Sequence, residues 1–456
     1  MRRKFAYDLV IVGGGAAGSE AAFTVADGGK SKILLAEATH FGGTCTNHGC
    51  VPTKALLRTA RMLHLITDAG RYGIKVGAPE VEWSRAIGRA FQVRDHMLRF
   101  GSKPFKKAGV EVRFPCEARL IGEHKLLIAG ADEIEARSVL IAAGLEPVVP
   151  RVPGLLEAGY LDNEGILELK ELPHRLAVVG SGPIGSEFAQ IFSRFGVQVT
   201  LIEQGARILA AEEPEASAAI REVFESESIE VRTRTKMTRV EHSDGIKRIF
   251  FESGASIEVD VILVAVGRSL DGKALGLHMA GIEWSARGIK VNDQLRTSRP
   301  WAWAAGDVVG GPLFTHVASE MGQVAARNAM RRGTERMDLR VVPKVTFTDP
   351  EVASVGVTEA AAKKGGRKVR TGFARLVDAE KAQIDGLEHG HVKCVADAKT
   401  GELLGCNIVA ENAADMIHEA VAMMAARTPV KVVARAMHAY PTLSELMRSA
   451  LREASG

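Results

Sequence analysis

Short apolar runs that stop at glycine set the rhythm of the chain. Leu9 to Val12 ends at Gly13 and Ala177-Val-Val ends at Gly180, and a further run follows each, Ile33-Leu-Leu-Ala and Val199-Thr-Leu-Ile. Runs of this length bounded by turn residues predict strands, and the Ala-rich stretch that opens after each glycine cluster predicts a helix. The start, Met1-Arg-Arg-Lys, has the charge of an export signal, but the apolar run behind it is too short for one and is expected to be a strand. No stretch reaches the roughly 18 apolar residues of a membrane span, so no membrane association is expected.

The two halves of this rhythm are copies. Val10-Ile-Val-Gly13-Gly-Gly15-Ala-Ala-Gly18-Ser-Glu20 returns as Ala177-Val-Val-Gly180-Ser-Gly182-Pro-Ile-Gly185-Ser-Glu187, with the glycines and the Ser-Glu pair in register. Between a strand and a helix, such glycines have separate tasks: the first makes the tight turn, the second lets backbone approach a pyrophosphate, and the third lets helix pack on strand. The helix N-terminus then faces the phosphates. Glu37 and Glu203 end the next strand of each copy, where a carboxylate accepts hydrogen bonds from a ribose diol. Strand-helix packing without a ligand is the simpler alternative, and the double match weighs against it. Two dinucleotide sites in one chain point to a hydride-transfer flavoenzyme. Glu203 would repel a 2′-phosphate, so NAD(H) is expected over NADP(H), with Arg207 close enough in sequence to oppose it.

Between the copies lies Gly42-Gly43-Thr44-Cys45-Thr-Asn-His48-Gly-Cys50-Val-Pro52-Thr-Lys54. A C-x4-C alone is ambiguous. A zinc site on Cys45, His48 and Cys50 would need further ligands, and Cys116, Cys394 and Cys406 supply no C-x2-C partner, so no metal site is expected. Pro52 suits the first turn of a helix, which places Cys50 at its positive end, where a thiolate is favoured. Lys54, one turn beyond Cys50, can address the same neighbouring group.

These residues resemble the flavin-dependent pyridine nucleotide-disulfide oxidoreductases, which include dihydrolipoamide dehydrogenase, glutathione reductase and mercuric reductase. The resemblance runs along essentially the whole chain and is most specific in GGTC-x4-C-x-PTK. It implies FAD at the first glycine unit, NAD(P)H at the second, and a redox-active Cys45–Cys50 disulfide. Cys45 matches the interchange thiol that meets substrate, Cys50 the thiolate that touches the flavin, Lys54 the lysine near flavin N5, and Glu187 its carboxylate partner. Leu140-Ile-Ala-Ala143-Gly144 resembles the strand and turn that end the first FAD segment, with Ala143 in place of the usual Thr. Val264-Ala-Val-Gly267-Arg268 resembles the end of the nicotinamide domain. Trp303-Ala-Ala-Gly306-Asp307 is similar to the motif whose aspartate holds the ribityl chain, and Val345-Thr-Phe347-Thr-Asp-Pro350-Glu351 to the opening of the dimerisation domain. Pro183 stands where several relatives carry a gating tyrosine.

The pattern breaks near the end of the chain. His438-Ala-Tyr440-Pro441-Thr442-Leu-Ser-Glu445 is close to the HAHPTLSE of dihydrolipoamide dehydrogenases, in which the histidine before the proline is the acid-base group, oriented by the glutamate. Here that position is Tyr440. An imidazole exchanges protons near neutrality, whereas a phenol, with a reference pKa of about 10, ordinarily keeps its own. If the segment is extended, His438 could share a face with Tyr440 and act instead. Tyrosine at this position resembles mercuric reductases, yet the chain ends Leu451-Arg-Glu-Ala-Ser-Gly456, without their C-terminal cysteine pair. Met416, Met423, Met424, Met437 and Met447, with His418 nearby, are expected to fill core space on Ala-rich helices.

The implied fold class is α/β: two Rossmann-like dinucleotide-binding domains, for FAD and NAD, plus a C-terminal α+β dimerisation domain. Expected boundaries are 1–149 and 271–340 for the FAD domain, 150–270 for the NAD(P) domain and 341–456 for the interface domain. In the 456 residues, 59 Lys and Arg stand against 55 Asp and Glu, so no nucleic-acid partner is expected. Five cysteines, an odd number in so long a chain, suit a reducing cytoplasm better than a secreted disulfide framework. The expected function is a homodimeric, cytoplasmic oxidoreductase acting on a small or lipoyl-type disulfide or dithiol. Reduction of a metal ion or small electrophile is the alternative, and a redox-sensing or scaffold flavoprotein the third.

Overall fold

The computed structural model describes residues 4–331 and 334–456. The chain divides into two compact units, each assembled from separated stretches.

The first unit holds residues 4–55, 87–148 and 267–339. Its strand Tyr7–Val12 lies between Ile33–Ala36 and Asp132–Ile141, all parallel; Glu111–Arg113 extends the sheet beyond the former and Ala302–Ala304 beyond the latter. Leu9, Val10 and Ile11 are fully buried because a parallel sheet is covered on both faces, which is why these strands read as unbroken apolar runs. The helix Ala16–Val25 follows the first strand at once and packs against Thr315–Arg331. A hairpin, Ala118–Gly122 and Lys125–Ile128, continues antiparallel from the outer half of Asp132–Ile141.

In the second unit, residues 149–266 repeat the plan. Arg175–Val179 lies between Gln198–Ile202 and Val261–Val264, and Glu230–Arg232 extends the parallel sheet. The helix Pro183–Arg194 follows its first strand, with proline at its first turn, where the missing N–H costs no helical hydrogen bond. The same unit carries a five-stranded antiparallel sheet in the order Lys344–Thr346, Glu351–Gly356, Leu403–Ala410, His391–Asp397, Val369–Arg375. Helices Ala413–Ala425 and Ser444–Ser455 cover one face over Val392, Cys394, Cys406 and Ile408. Met423 and Met447 fill this core as expected, with Met416 and Met424 packed at its margin. Met437 does not: it lies outside any helix and is 96% exposed.

Among the described residues no helix is long and apolar enough to cross a membrane, and no group of three or more His, Cys, Asp or Glu side chains is arranged to hold a metal ion.

Candidate functional site

The two glycine turns are superposable in their contacts. Gly13 has φ +102° and Gly180 +101°, and a Cβ on either would stand 2.5 Å from a carbonyl oxygen, that of Ala142 or Ala265. A Cβ on Gly18 would meet Gly13 O at 1.8 Å, and one on Gly185 would meet Gly180 O at 1.9 Å, so helix and strand approach only because both residues lack side chains. The middle glycines differ in kind. Nothing lies within 4 Å of a Cβ on Gly182, and only Gly43 Cα, at 3.7 Å, within that distance on Gly15. Packing does not demand glycine there, whereas a pyrophosphate drawn close to the backbone does, so the residues present fit a dinucleotide at each turn.

The carboxylates expected at the riboses are in place at the strand ends. Glu37 is 6% exposed; Oε2 accepts the N–H of Gly14 at 2.5 Å, and Oε1 accepts those of Thr39 and His40 at 2.7 and 2.9 Å. Glu203 Oε2 accepts from the Ser181 hydroxyl at 2.6 Å and Oε1 from the Gly205 N–H at 2.6 Å. Arg207 is turned away, its Nη2 donating to the carbonyls of Ala210 and Glu212 at 2.8 and 3.0 Å. Asp307 opens a 3-10 turn in the first unit, where burial pushes its carboxyl pKa up and Arg268 pulls the other way. No protein group donates a hydrogen bond to that carboxylate among the described residues, a vacancy in its bonding that a ligand hydroxyl would fill. Gly144 and Gly267 both have positive φ, and no atom crowds a Cβ on either.

The cysteine segment is fastened to the first glycine turn. Gly42 donates its N–H to Gly14 O at 3.0 Å, and a Cβ on Gly43 would stand 2.9 Å from Gly15 Cα. A short helix, Gly43–Asn47, carries Thr44 and Cys45; Cys50 begins the helix Cys50–Thr67, with Pro52 in its first turn and Lys54 four residues on. The sulfurs are within hydrogen-bonding reach. That hydrogen bond to Cys50, then burial, then the Cys50 charge push the Cys45 thiol pKa well up, while Thr315 and the positive Lys54 oppose them. Cys45 therefore holds its proton in the dithiol, and Cys50 is the more exposed member of the pair.

Two residues here were not anticipated from the sequence. Thr315 Oγ1 lies 3.6 Å from Cys50 Sγ, brought there across 265 residues by the return of the chain, so no local signal marks it. Asn47, 3% exposed, donates from Nδ2 to Phe41 O and Gly43 O at 2.8 and 2.9 Å and fixes the short helix from within. An amide amid small residues was its only signal.

In the second unit Glu187 is 3% exposed, and its Oε1 accepts the Phe347 N–H at 3.0 Å. The C-terminal segment departs from expectation in two respects. Residues 437–440 belong to no helix or strand, and His438 is partly buried where Tyr440 is exposed. His438 is tucked in, with Nε2 3.1 Å from Glu419 Oε1 and Nδ1 3.3 Å from Ala436 O, so both ring nitrogens are engaged. Tyr440 projects outward, 69% exposed. Glu445 does not orient it: its Oε2 accepts the N–H of Thr442 at 3.3 Å, because the first turn of Ser444–Ser455 leaves the carboxylate nearest to backbone. The carboxylate-imidazole pair of this region is Glu419–His438, which sequence spacing gave no reason to connect.

Comparison with known proteins finds relatives along nearly the whole chain. Residues 7–322 match the pyridine nucleotide-disulphide oxidoreductase family and residues 342–451 its dimerisation domain. The chain is 36% identical to a dihydrolipoyl dehydrogenase of Bacillus subtilis, covering 98% of each, and 36% identical to a mercuric reductase of Bacillus cereus, covering 98% of this chain and 71% of that protein. Among solved structures it resembles the HOCl-induced flavoprotein disulfide reductase RclA from Escherichia coli in its Cu(II) complex, with TM-score 0.87 and 27% identity over 97% of this chain and 99% of that one. Since both family segments and full-length identity fall on the same chain, this protein belongs to the pyridine nucleotide-disulphide oxidoreductases, a family of FAD-dependent enzymes that use a pyridine nucleotide.

Proposed function

We propose that the protein is a homodimeric oxidoreductase that draws a hydride from NADH and delivers two electrons outward through Cys45 and Cys50. The observation that carries this reading is the pairing of the two thiols on a segment held by Gly42 and Gly43 against the first glycine turn. FAD, when bound there, supplies the passage from hydride to dithiol. Gly13, Gly15, Gly18 and Glu37 hold its adenosine diphosphate, Gly43 and Thr44 line its pyrophosphate, and Gly144 and Asp307 meet the rest of the cofactor. Gly180, Gly182, Gly185, Glu203 and Gly267 serve the nicotinamide nucleotide, and Glu203 favours NAD(H) because its carboxylate repels a 2′-phosphate and Arg207 is engaged elsewhere. Lys54, on the helix that begins at Cys50, sets the charge beside the flavin.

Cys50 is the flavin-facing thiolate, stabilised by the start of its helix and by the Thr315 hydroxyl. Cys45 keeps its proton until substrate arrives and then attacks. With a disulfide acceptor the balance is NADH, a proton and one disulfide giving NAD+ and two thiols, so a proton must reach each departing thiolate. No imidazole is offered for that by His438, whose nitrogens are both engaged, and Tyr440 stands in the acid-base position. A thiophilic divalent metal ion takes two electrons without a proton, and Tyr440 therefore favours such an ion as the acceptor. The second reading, a dihydrolipoamide dehydrogenase, is supported by the Pro441 to Glu445 run and by the 98% mutual coverage with the Bacillus subtilis enzyme.

Tyr440→His separates the two. On the metal reading it lowers NADH-dependent reduction of Hg2+ and leaves dihydrolipoamide oxidation slow. An increase in dihydrolipoamide oxidation near neutrality, toward the roughly 10²-fold of a positioned acid-base group, with metal reduction unchanged, overturns that reading in favour of the dehydrogenase.

A further inference from the structure

The antiparallel strands His391–Asp397 and Leu403–Ala410 set Cys394 directly opposite Cys406. Both belong to the core beneath the helix Ser444–Ser455, which contributes Met447 to the same cluster. Cys394 Sγ lies 3.7 Å from Met447 Sδ, and Cys406 is within hydrogen-bonding reach of Cys394. Three sulfurs, from two strands and a helix, thus meet in one place, and all three residues are buried. A single cysteine or methionine is ordinary core filling. Sulfurs gathered in this way are also the donor set that soft metal ions prefer. At metal–sulfur bonds of about 2.3 Å, three sulfurs around one ion stand about 4 Å apart, so the spacing found here admits an ion after a shift of a few tenths of an ångström.

We propose that Cys394, Cys406 and Met447 form a binding site for a soft monovalent metal ion of the Cu+ class in the core of the dimerisation domain. Binding exchanges the Cys394 proton for the ion: the S–H bond breaks, a metal–sulfur bond forms, and the proton leaves to solvent. One thiolate and one monovalent ion are neutral together, which an apolar core accepts, and Met447 Sδ and the Cys406 thiol complete the set as uncharged donors. The Cys394 hydrogen bond, burial and the charges of Cys394 and Glu419 push the Cys406 thiol pKa up, in keeping with a thiol that retains its proton. The negative field of Glu419 that reaches Cys406 also favours a cation there. Cys406 lines a narrow cleft with Val355, Gly356, Val395 and Asn407, which gives the ion a way in. A bound ion ties the helix Ser444–Ser455 to both strands and stabilises the folded unit by mass action. Sequence spacing does not disclose the site, because the register of the sheet, and no C-x2-C repeat, brings the donors together. The inference is independent of the role given to Cys45 and Cys50.

The test uses the FAD-loaded full chain carrying Cys45→Ser and Cys50→Ser, which removes the other thiol pair; Cys116 is present in every protein compared. Cu+ is titrated anaerobically in competition with a chromophoric Cu+ chelator, and thermal unfolding is followed with and without the ion. This parent protein is expected to take one Cu+ per chain and to unfold at a higher temperature when loaded. Cys394→Ala should lose that equivalent and the shift in unfolding. Met447→Leu, which nearly conserves volume, should weaken binding by at least about 10-fold. X-ray absorption of the loaded parent should show three sulfurs around the ion and nothing else. A parent that takes up no Cu+, a Cys394→Ala protein that keeps its equivalent, or nitrogen or oxygen bonded to the ion overturns the proposal. If Cys394→Ala does not fold, Met447→Leu and the absorption spectrum decide: parental affinity in Met447→Leu, or only two sulfurs around the ion, refutes the three-sulfur site.

Discussion

His391 offers a quantitative test of how the dimerisation sheet is held. The strand His391–Asp397 is buried on both faces, and His391 is 3% exposed. Its Nε2 lies 3.1 Å from Asn407 Oδ1, and Asn407 Nδ2 donates to Glu212 Oε2 at 3.2 Å, a chain that fixes the imidazole as the neutral donor. Burial pushes the His391 pKa down to about 4; the Asn407 hydrogen bond and Glu215 oppose that, and Lys393 adds to it. The folded value lies below the unfolded one. Between about 6.5 and 4 the unfolded chain therefore binds a proton that the native strand does not, and stability falls as the pH drops through that window. At about 1.4 kcal/mol per pH unit, the loss reaches about 3 kcal/mol near pH 4. His391→Gln keeps a donor for Asn407 and does not titrate, so it should lack this loss. Thermal unfolding of the two proteins at about pH 7 and pH 4.5 should show an extra fall of roughly 3 °C in wild type. The difference between the proteins is the quantity to read, since buried carboxyls such as Asp307 and Glu351, whose pKa values are raised, titrate with the opposite sign. An imidazole resonance titrating near 6.5, or equal acid losses in both proteins, refutes the argument.

Reduction of the purified protein by two electrons should produce a long-wavelength thiolate-flavin band that Cys50→Ser abolishes; a band that survives in Cys50→Ser removes Cys50 from the flavin. NADH should exceed NADPH in kcat/KM, and Glu203→Ala should narrow the gap; equal use of both by wild type would show that another group outweighs Glu203. Gly43→Ala should lose FAD, because its Cβ would stand 2.9 Å from Gly15 Cα at a φ of +56°. Wild-type flavin content after gel filtration is the contrary result. Asn47→Ala should lower the melting temperature by a few degrees, since two carbonyls lose their donor, and slow dithiol reduction through misplacement of Cys45; unaltered turnover would limit Asn47 to stability.

The sequence by itself determined whatever depends on short-range pattern. The glycine turns, the strands Tyr7–Val12 and Arg175–Val179, and the helix that begins at Cys50 follow from neighbours a few residues apart, because turn geometry, strand burial and helix starts are local. Only the tertiary structure decided what came from afar. Thr315 reaches Cys50 because the chain returns to complete the sheet, and Glu419 reaches His438 because a helix and an irregular segment cover the same edge of a core. Lys393 shows the limit most plainly. It lies in a strand whose alternation would place it toward solvent, yet 6% of its side chain is exposed, since Glu213, Glu215 and Glu359 cover that face and neutralise its charge. A side chain's type fixes what it needs in order to be buried, and only the folded chain fixes whether distant residues supply it.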